Sequence, residues 1–106
     1  MAQYLNRARF NQAGGTLAFG SVGAGYASLY VVSGIGRKLI ITNSLDKQTV
    51  LSFDGGTTDF IKLPAGQGLV IDFDTSLQFG NITISVKHDG VAPTVGSINA
   101  NVIYAL

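Results

Sequence analysis

His88 is the only histidine of the chain, in the run His88-Asp89-Gly90 beside a turn. Histidine titrates near neutrality and can serve as a general base. It needs a nucleophile to activate, and this chain has no cysteine and no Gly-x-Ser-x-Gly elbow. The expectation is a solvated loop histidine. The aspartates are the next candidates, because all six acidic residues are aspartate. Asp54, Asp59, Asp72 and Asp74 have the oxygen chemistry of a calcium site. Asp72-Phe73-Asp74 puts two carboxylates on one strand face, which is also how any strand with one wet face reads. No Asp-x-Asp-x-Asp-Gly loop accompanies them. A glycosidase-type carboxylate pair is disfavoured, because the chain has no tryptophan for a sugar platform.

Two further constellations remain. Gly20-Ser21-Val22-Gly23-Ala24-Gly25 is glycine-rich like a phosphate loop, but it lacks the Gly-Lys-Ser/Thr ending and no helix is expected after it. It reads as a flexible turn. Arg7, Arg9 and Phe10 place two guanidinium groups and an aromatic near the N-terminus. Two arginines are too few to mark a nucleic-acid surface. They suit an arm that anchors on a partner, with arginine supplying a planar fork and phenylalanine apolar area. The expected inventory is therefore no catalytic residue, no cofactor and no metal, with Arg7, Arg9 and Phe10 as partner contacts. The chain is expected not to be an enzyme.

The elements that must position these residues read as strands. Valine, isoleucine and threonine make up about a quarter of the chain, and β-branched side chains fit a pleated, half-buried surface. Glutamate is absent, only four lysines occur and fourteen glycines are scattered throughout, which is poor material for helices. Thr16 to Gly20 is a weak strand candidate, and Tyr26 to Ser33 a stronger one. Arg37 to Asn43 follows, where Leu39-Ile40-Ile41 suggests burial on both faces. Asn43-Ser44-Leu45-Asp46-Lys47 is a turn cluster. Gln48 to Asp54 alternates, with Val50 and Ser52 opposite Leu51 and Phe53. Asp54-Gly55-Gly56 is the clearest hairpin signal, returning through Thr57 to Leu63. After the turn Pro64-Ala65-Gly66-Gln67-Gly68 come Leu69 to Asp74, a strand around Ile82, Ile84 and Val86, and a last one over Gly96 to Ala105, in which Ile98, Ala100, Val102 and Tyr104 share a face.

Seven or eight short strands at this spacing predict an all-β fold, an antiparallel β-sandwich or jelly roll. Its expected core is Leu39, Ile41, Leu51, Phe53, Leu69, Ile71, Phe73, Ile82, Ile84, Val86, Val102 and Tyr104. The division expected is an N-terminal arm over residues 1–15 and a single domain over residues 16–106. The opening segment has no period-2 pattern, and Gly14-Gly15 reads as a break.

Composition adds a constraint on surroundings. Only 12% of the 106 residues are charged and 46% are hydrophobic, against about 25% charged in an ordinary soluble domain. So small a domain has too little interior to hide that much apolar surface, so part of its exterior is expected to be covered by another protein. A net charge of +1 argues against non-specific nucleic-acid binding as the main activity. No apolar run of about 18 residues suggests a membrane-spanning helix, and the N-terminus lacks the apolar region of a secretory signal.

Three stretches carry a family likeness. They are Ile41-Thr42-Asn43-Ser44 leading into Val50-Leu51-Ser52-Phe53-Asp54-Gly55-Gly56, then Leu63-Pro64-Ala65-Gly66, and lastly Ile84-Ser85-Val86-Lys87 with Ala92-Pro93-Thr94-Val95-Gly96 and the closing strand to Tyr104. Through them the segment from Leu39 to Tyr104 resembles small structural proteins of tailed bacteriophages. The resemblance implies a β-sandwich on the particle surface, a capsid decoration (cement) protein that covers seams between shell subunits, located in the virion after assembly in the host cytoplasm. The implied partners are the major capsid protein or another virion protein, and further copies of the chain. The local three-fold positions of such shells suggest a homotrimer. Neither nucleic acid nor membrane is expected as a partner. A tail or head-fibre component with a receptor- or carbohydrate-binding role is the alternative. It would call for exposed aromatics on loops, and Phe79 is the main one legible in the sequence.

Overall fold

The computed structural model describes residues 10–32, 36–72 and 82–105. They form eight strands: β1 (Phe10–Ala18), β2 (Ala27–Val32), β3 (Gly36–Asn43), β4 (Thr49–Ser52), β5 (Ile61–Leu63), β6 (Gly68–Asp72), β7 (Ile82–His88) and β8 (Ser97–Ala105), with one 3-10 turn over Phe19–Ser21. Two four-stranded sheets result, ordered β1-β8-β3-β6 and β2-β7-β4-β5. β1 pairs with β8, β2 with β7, β3 with β6 and β4 with β5, all antiparallel. This is one long hairpin rolled on itself, and the β3–β8 and β4–β7 pairings close the roll into two sheets. The fold is an antiparallel β-sandwich with jelly-roll connectivity.

Period-2 alternation decides which side chains face inward. On β8, Ile98, Ala100 and Val102 are buried, with Ala100 opposite Ile41 and Val102 opposite Leu39 of β3. From the facing sheet Val32, Leu51, Ile84 and Val86 meet them, all at 0% exposure. Each such side chain contributes about 1.5–3 kcal/mol on burial. Of the expected core, Leu39, Ile41, Leu51, Ile84, Val86, Val102 and Tyr104 are buried, while Phe53, Leu69, Ile71 and Ile82 are half-buried on its margin. Phe73 lies outside the described residues. Val22 and Leu45, both in segments read as turns, are core residues that anchor their loops from within. On β2 a register shift between Ser28 and Tyr30 marks a bulge at Leu29, which is buried as well.

Residues 10–15 depart from the expected arm. They are the first six positions of β1, in continuous register with β8 from Phe10 opposite Ala105 to Gly15 opposite Ala100. Alternation was invisible there because Asn11, Gln12 and two glycines carry no apolar signal. Gly14-Gly15 is not a break but a close approach. A Cβ on Gly15 would lie 2.2 Å from the Leu29 carbonyl oxygen across the sandwich, and one on Gly14 would lie 2.0 Å from that of Ala100. Residues 1–9 lie outside the described residues.

Candidate functional site

The hairpin expected at Asp54-Gly55-Gly56 is a longer structure. β4 and β5 pair only from Thr49 opposite Leu63 to Leu51 opposite Ile61, so the connection spans residues 53–60. Its start uses glycine in the left-handed region, with φ of 76° at Gly55 and 100° at Gly56. The segment then folds back over the outward face of β4 and β7. The Ser52 hydroxyl accepts from the Gly56 amide at 3.0 Å and donates to Asp54 Oδ1 at 2.6 Å. The same carboxylate oxygen accepts from the amides of Thr57 and Thr58 at 3.1 and 2.9 Å. These bonds stabilise the ionised form and lower the Asp54 pKa to about 2, led by the serine hydroxyl.

Farther along, Asp59 Oδ1 accepts from the Tyr26 hydroxyl and lies 3.7 Å from Lys87 Nζ. Lys87 sits 4.7 Å over the Tyr26 ring. Burial and then the Asp59 carboxylate raise the Tyr26 pKa to about 12, so the phenol stays a donor at neutral pH. The covering loop explains why β4 is buried at all four positions and why Ser85 of β7 is buried although it faces outward.

At its end the loop builds an open cleft of about 280 Å³ lined by Phe53, Asp54, Thr58, Asp59 and Phe60. Phe53 packs against the core and stacks on Phe60, with ring centroids 4.5 Å apart and planes 19° from parallel. Phe60 caps the stack at 53% exposure, and its amide donates to the Leu51 carbonyl at 2.7 Å. Phe60 was read as a strand residue. The signal that could have placed it on a loop is the run Gly55-Gly56-Thr57-Thr58-Asp59, too long and too rich in turn formers for a two-residue hairpin.

The two outward faces differ. On β2-β7-β4-β5 the charged residues are paired, Lys87 with Asp59 and Lys62 with Asp89 at 3.4 Å. On β1-β8-β3-β6 the larger described side chains on the outward face are Thr16, Lys38, Ile40, Thr42, Val70, Asp72, Asn99, Asn101 and Ile103, following the register. Their only charges are Lys38 and Asp72, 3.4 Å apart. Thr16 Oγ1 donates to Asn99 Oδ1 at 2.8 Å, and Val70 is 56% exposed.

Of the residues singled out by sequence, Arg7, Arg9, Asp74 and Phe79 lie outside the described residues, and Phe10 opens β1. Asp72 pairs with Lys38. His88 ends β7 half-buried, with its amide donating to the Gly23 carbonyl at 3.0 Å and Nδ1 buried without a hydrogen-bond partner. It is not the fully solvated loop residue expected, because the strand runs one residue longer than read. The glycine-rich run is the β1–β2 loop, pinned by buried Val22. Among the described residues no group of three or more His, Cys, Asp or Glu side chains is placed to hold a metal, and no helix is long and apolar enough to cross a membrane.

No family model matches the chain, and no curated protein does. Among solved structures, a chain from the Bacillus endospore appendages, a family of disulfide-linked pili, is similar over 92% of this chain and 88% of that one, with a TM-score of 0.52 and 13% identity. A chain from the infectious bursal disease virus Gx strain aligns over 92% of this chain and 33% of its own length, with a TM-score of 0.31 and 16% identity. The first of these likenesses is one of fold, which does not carry function with it. The disulfides named for the appendages have no counterpart in this chain, which has no cysteine.

Proposed function

We propose that this chain is a structural protein of a virion, a capsid decoration protein that docks on the shell, covers seams between shell subunits and catalyses nothing. The observation that carries this reading is the outward face of β1-β8-β3-β6, whose described side chains offer hydroxyls, amides and aliphatic groups with one ion pair among them. Such a face loses little on desolvation, because charge is the costly thing to bury. Burying apolar area contributes about 25 cal/mol per Å², and a standard interface of about 1,600 Å² gives a large gross term that association entropy then reduces. Repetition over many copies raises the free energy needed to pull shell subunits apart. In this reading the copies associate as a homotrimer on local three-fold positions, the partner is the major capsid protein, and neither nucleic acid nor membrane takes part.

The test is cryo-electron microscopy of purified particles. Density for this jelly roll on the shell, with the β1-β8-β3-β6 face inward, is expected. Replacing Thr42 and Val70 together by lysine should strip the protein from particles in a sedimentation assay. Particles without this density, or full occupancy by the double variant, would overturn the reading.

A further inference from the structure

The cleft at residues 53–60 is left unused by shell binding, since it belongs to the sheet opposite the docking face. The geometry points to a saccharide-binding site there, taking one neutral pyranose ring of a glycan between Asp54 and Asp59 and against the ring of Phe60. The inference is independent of whether the chain decorates a shell.

Three features fit that ligand. The first is the platform. Phe60 presents more than half its surface to water while Phe53 and the bond to Leu51 fix its position. One face of a pyranose is a layer of C–H groups, and it packs on an aromatic ring with little ordering cost when the ring is already held. The second is the acceptors. Sugar hydroxyls project sideways from the ring and donate well to carboxylates. The Asp59 side chain is 63% exposed, and its bonds to Tyr26 and Lys87 fall on Oδ1, which leaves Oδ2 for a ligand. Asp54 is locked in place by its three donors on Oδ1 and by the Thr58 hydroxyl, which donates to the same carboxylate and keeps only its acceptor lone pairs for a ligand. The third is size. A cleft of about 280 Å³ lies just under the range of about 300–1,000 Å³ for drug-sized ligands, which suits one ring and leaves the rest of a glycan in solvent.

Charge decides between a sugar and a cation. The Asp59 carboxylate already has Lys87 beside it, and that of Asp54 is satisfied by neutral donors. Neither is a bare anion awaiting a counter-ion, whereas both keep lone pairs for hydroxyls.

The experiment is a 1H–15N correlation titration of the full chain with the methyl pyranosides of glucose, mannose, galactose and N-acetylglucosamine, and with N-acetyl-lysine amide as the cationic control. At least one glycoside should shift the amides of Gly55, Gly56, Thr57, Thr58, Asp59 and Phe60 saturably. Phe60→Ala should weaken that binding by about tenfold or more, as loss of a central aromatic anchor does. Asp59→Asn should weaken it by a smaller factor, and Val91→Ser, an exposed position in the β7–β8 connection, should leave it unchanged. Both cleft residues are exposed, so dispersed spectra are expected for the free variants. The proposal is overturned if none of the glycosides gives a saturable shift, if only the lysine amide does, or if Phe60→Ala and Asp59→Asn bind as the parent does.

Discussion

At the β1–β2 edge of the sandwich the sheets approach until backbone meets backbone, with Gly15 so close to the Leu29 carbonyl that no Cβ fits. At the β5–β6 edge they part. β5 has only three residues, Ile61 is 37% exposed, and Leu69 and Ile71 are half-buried. What holds this second edge is polar. Fully buried Asn43 at the end of β3 donates through Nδ2 to the carbonyls of Leu63 at 3.0 Å, Lys47 at 3.1 Å and Pro64 at 3.2 Å, and accepts from the Leu45 amide at 3.0 Å. One edge is closed by the absence of side chains, the other by one side chain that bridges the sheets. The aromatic cleft sits beside the looser edge, where core packing leaves an aromatic ring uncovered.

The largest effect should come from Asn43→Leu, which keeps the volume, leaves the Leu45 amide and the Lys47 carbonyl without this partner, and leaves the Leu63 and Pro64 carbonyls only the Thr49 hydroxyl and the Gln67 amide. At about 1–3 kcal/mol for each unsatisfied group, a loss of about 3 kcal/mol or more in urea denaturation is expected. A loss below about 1 kcal/mol would mean that the polar bridge does not hold the open edge. Gly15→Val comes next, at about 2–3 kcal/mol. Because the obstacle is a backbone carbonyl, the change should appear as faster hydrogen exchange along β1 while β4 stays protected. Uniformly unchanged exchange would show that the closed edge has slack.

Tyr30→Phe tests the closed edge more gently. The Tyr30 and Tyr104 hydroxyls share a 2.7 Å hydrogen bond between the sheets, which raises the Tyr30 pKa to about 12. Its removal should cost about 1 kcal/mol, measured by the same denaturation.

Acid should act most mildly, and on loops. The Thr94 hydroxyl, then its amide, hold the Asp46 carboxyl far below the usual carboxylate range, and the Asp54 pKa is lowered to about 2. Folded values below the unfolded value of about 3.9 mean stability that is present above that value and lost as pH falls through the folded values. The urea midpoint should therefore be level from neutral pH to about 5 and fall from about pH 4 downward. Asp46→Asn and Asp54→Asn should lower the neutral plateau and flatten the acid limb. An acid limb as steep in the double variant as in the parent would assign it to other groups.

Much of this was legible in the chain. Alternation in Ile98, Ala100, Val102 and Tyr104 fixed the inward face of β8, and Ile84 with Val86 that of β7, because a pleated strand leaves no other way to hide them. The cleft was not. Phe60 looks like any strand residue until the loop is known to turn back. Gly14-Gly15 carries no periodic signal, although Gly15 marks a contact between the sheets too close for any Cβ. Val22 and Leu45 lie among turn formers, and only a core to point into distinguishes them from loop residues.

The class of fold and the scarcity of charge follow from the residues read in order, since β-branched alternation punctuated by glycine and proline turns permits little else. Tertiary structure alone decided which glycine is a contact, which loop covers a sheet, and which aromatic stays in water. Those outcomes depend on how closely two sheets approach, a distance set by all the side chains between them and encoded in no local run of residues.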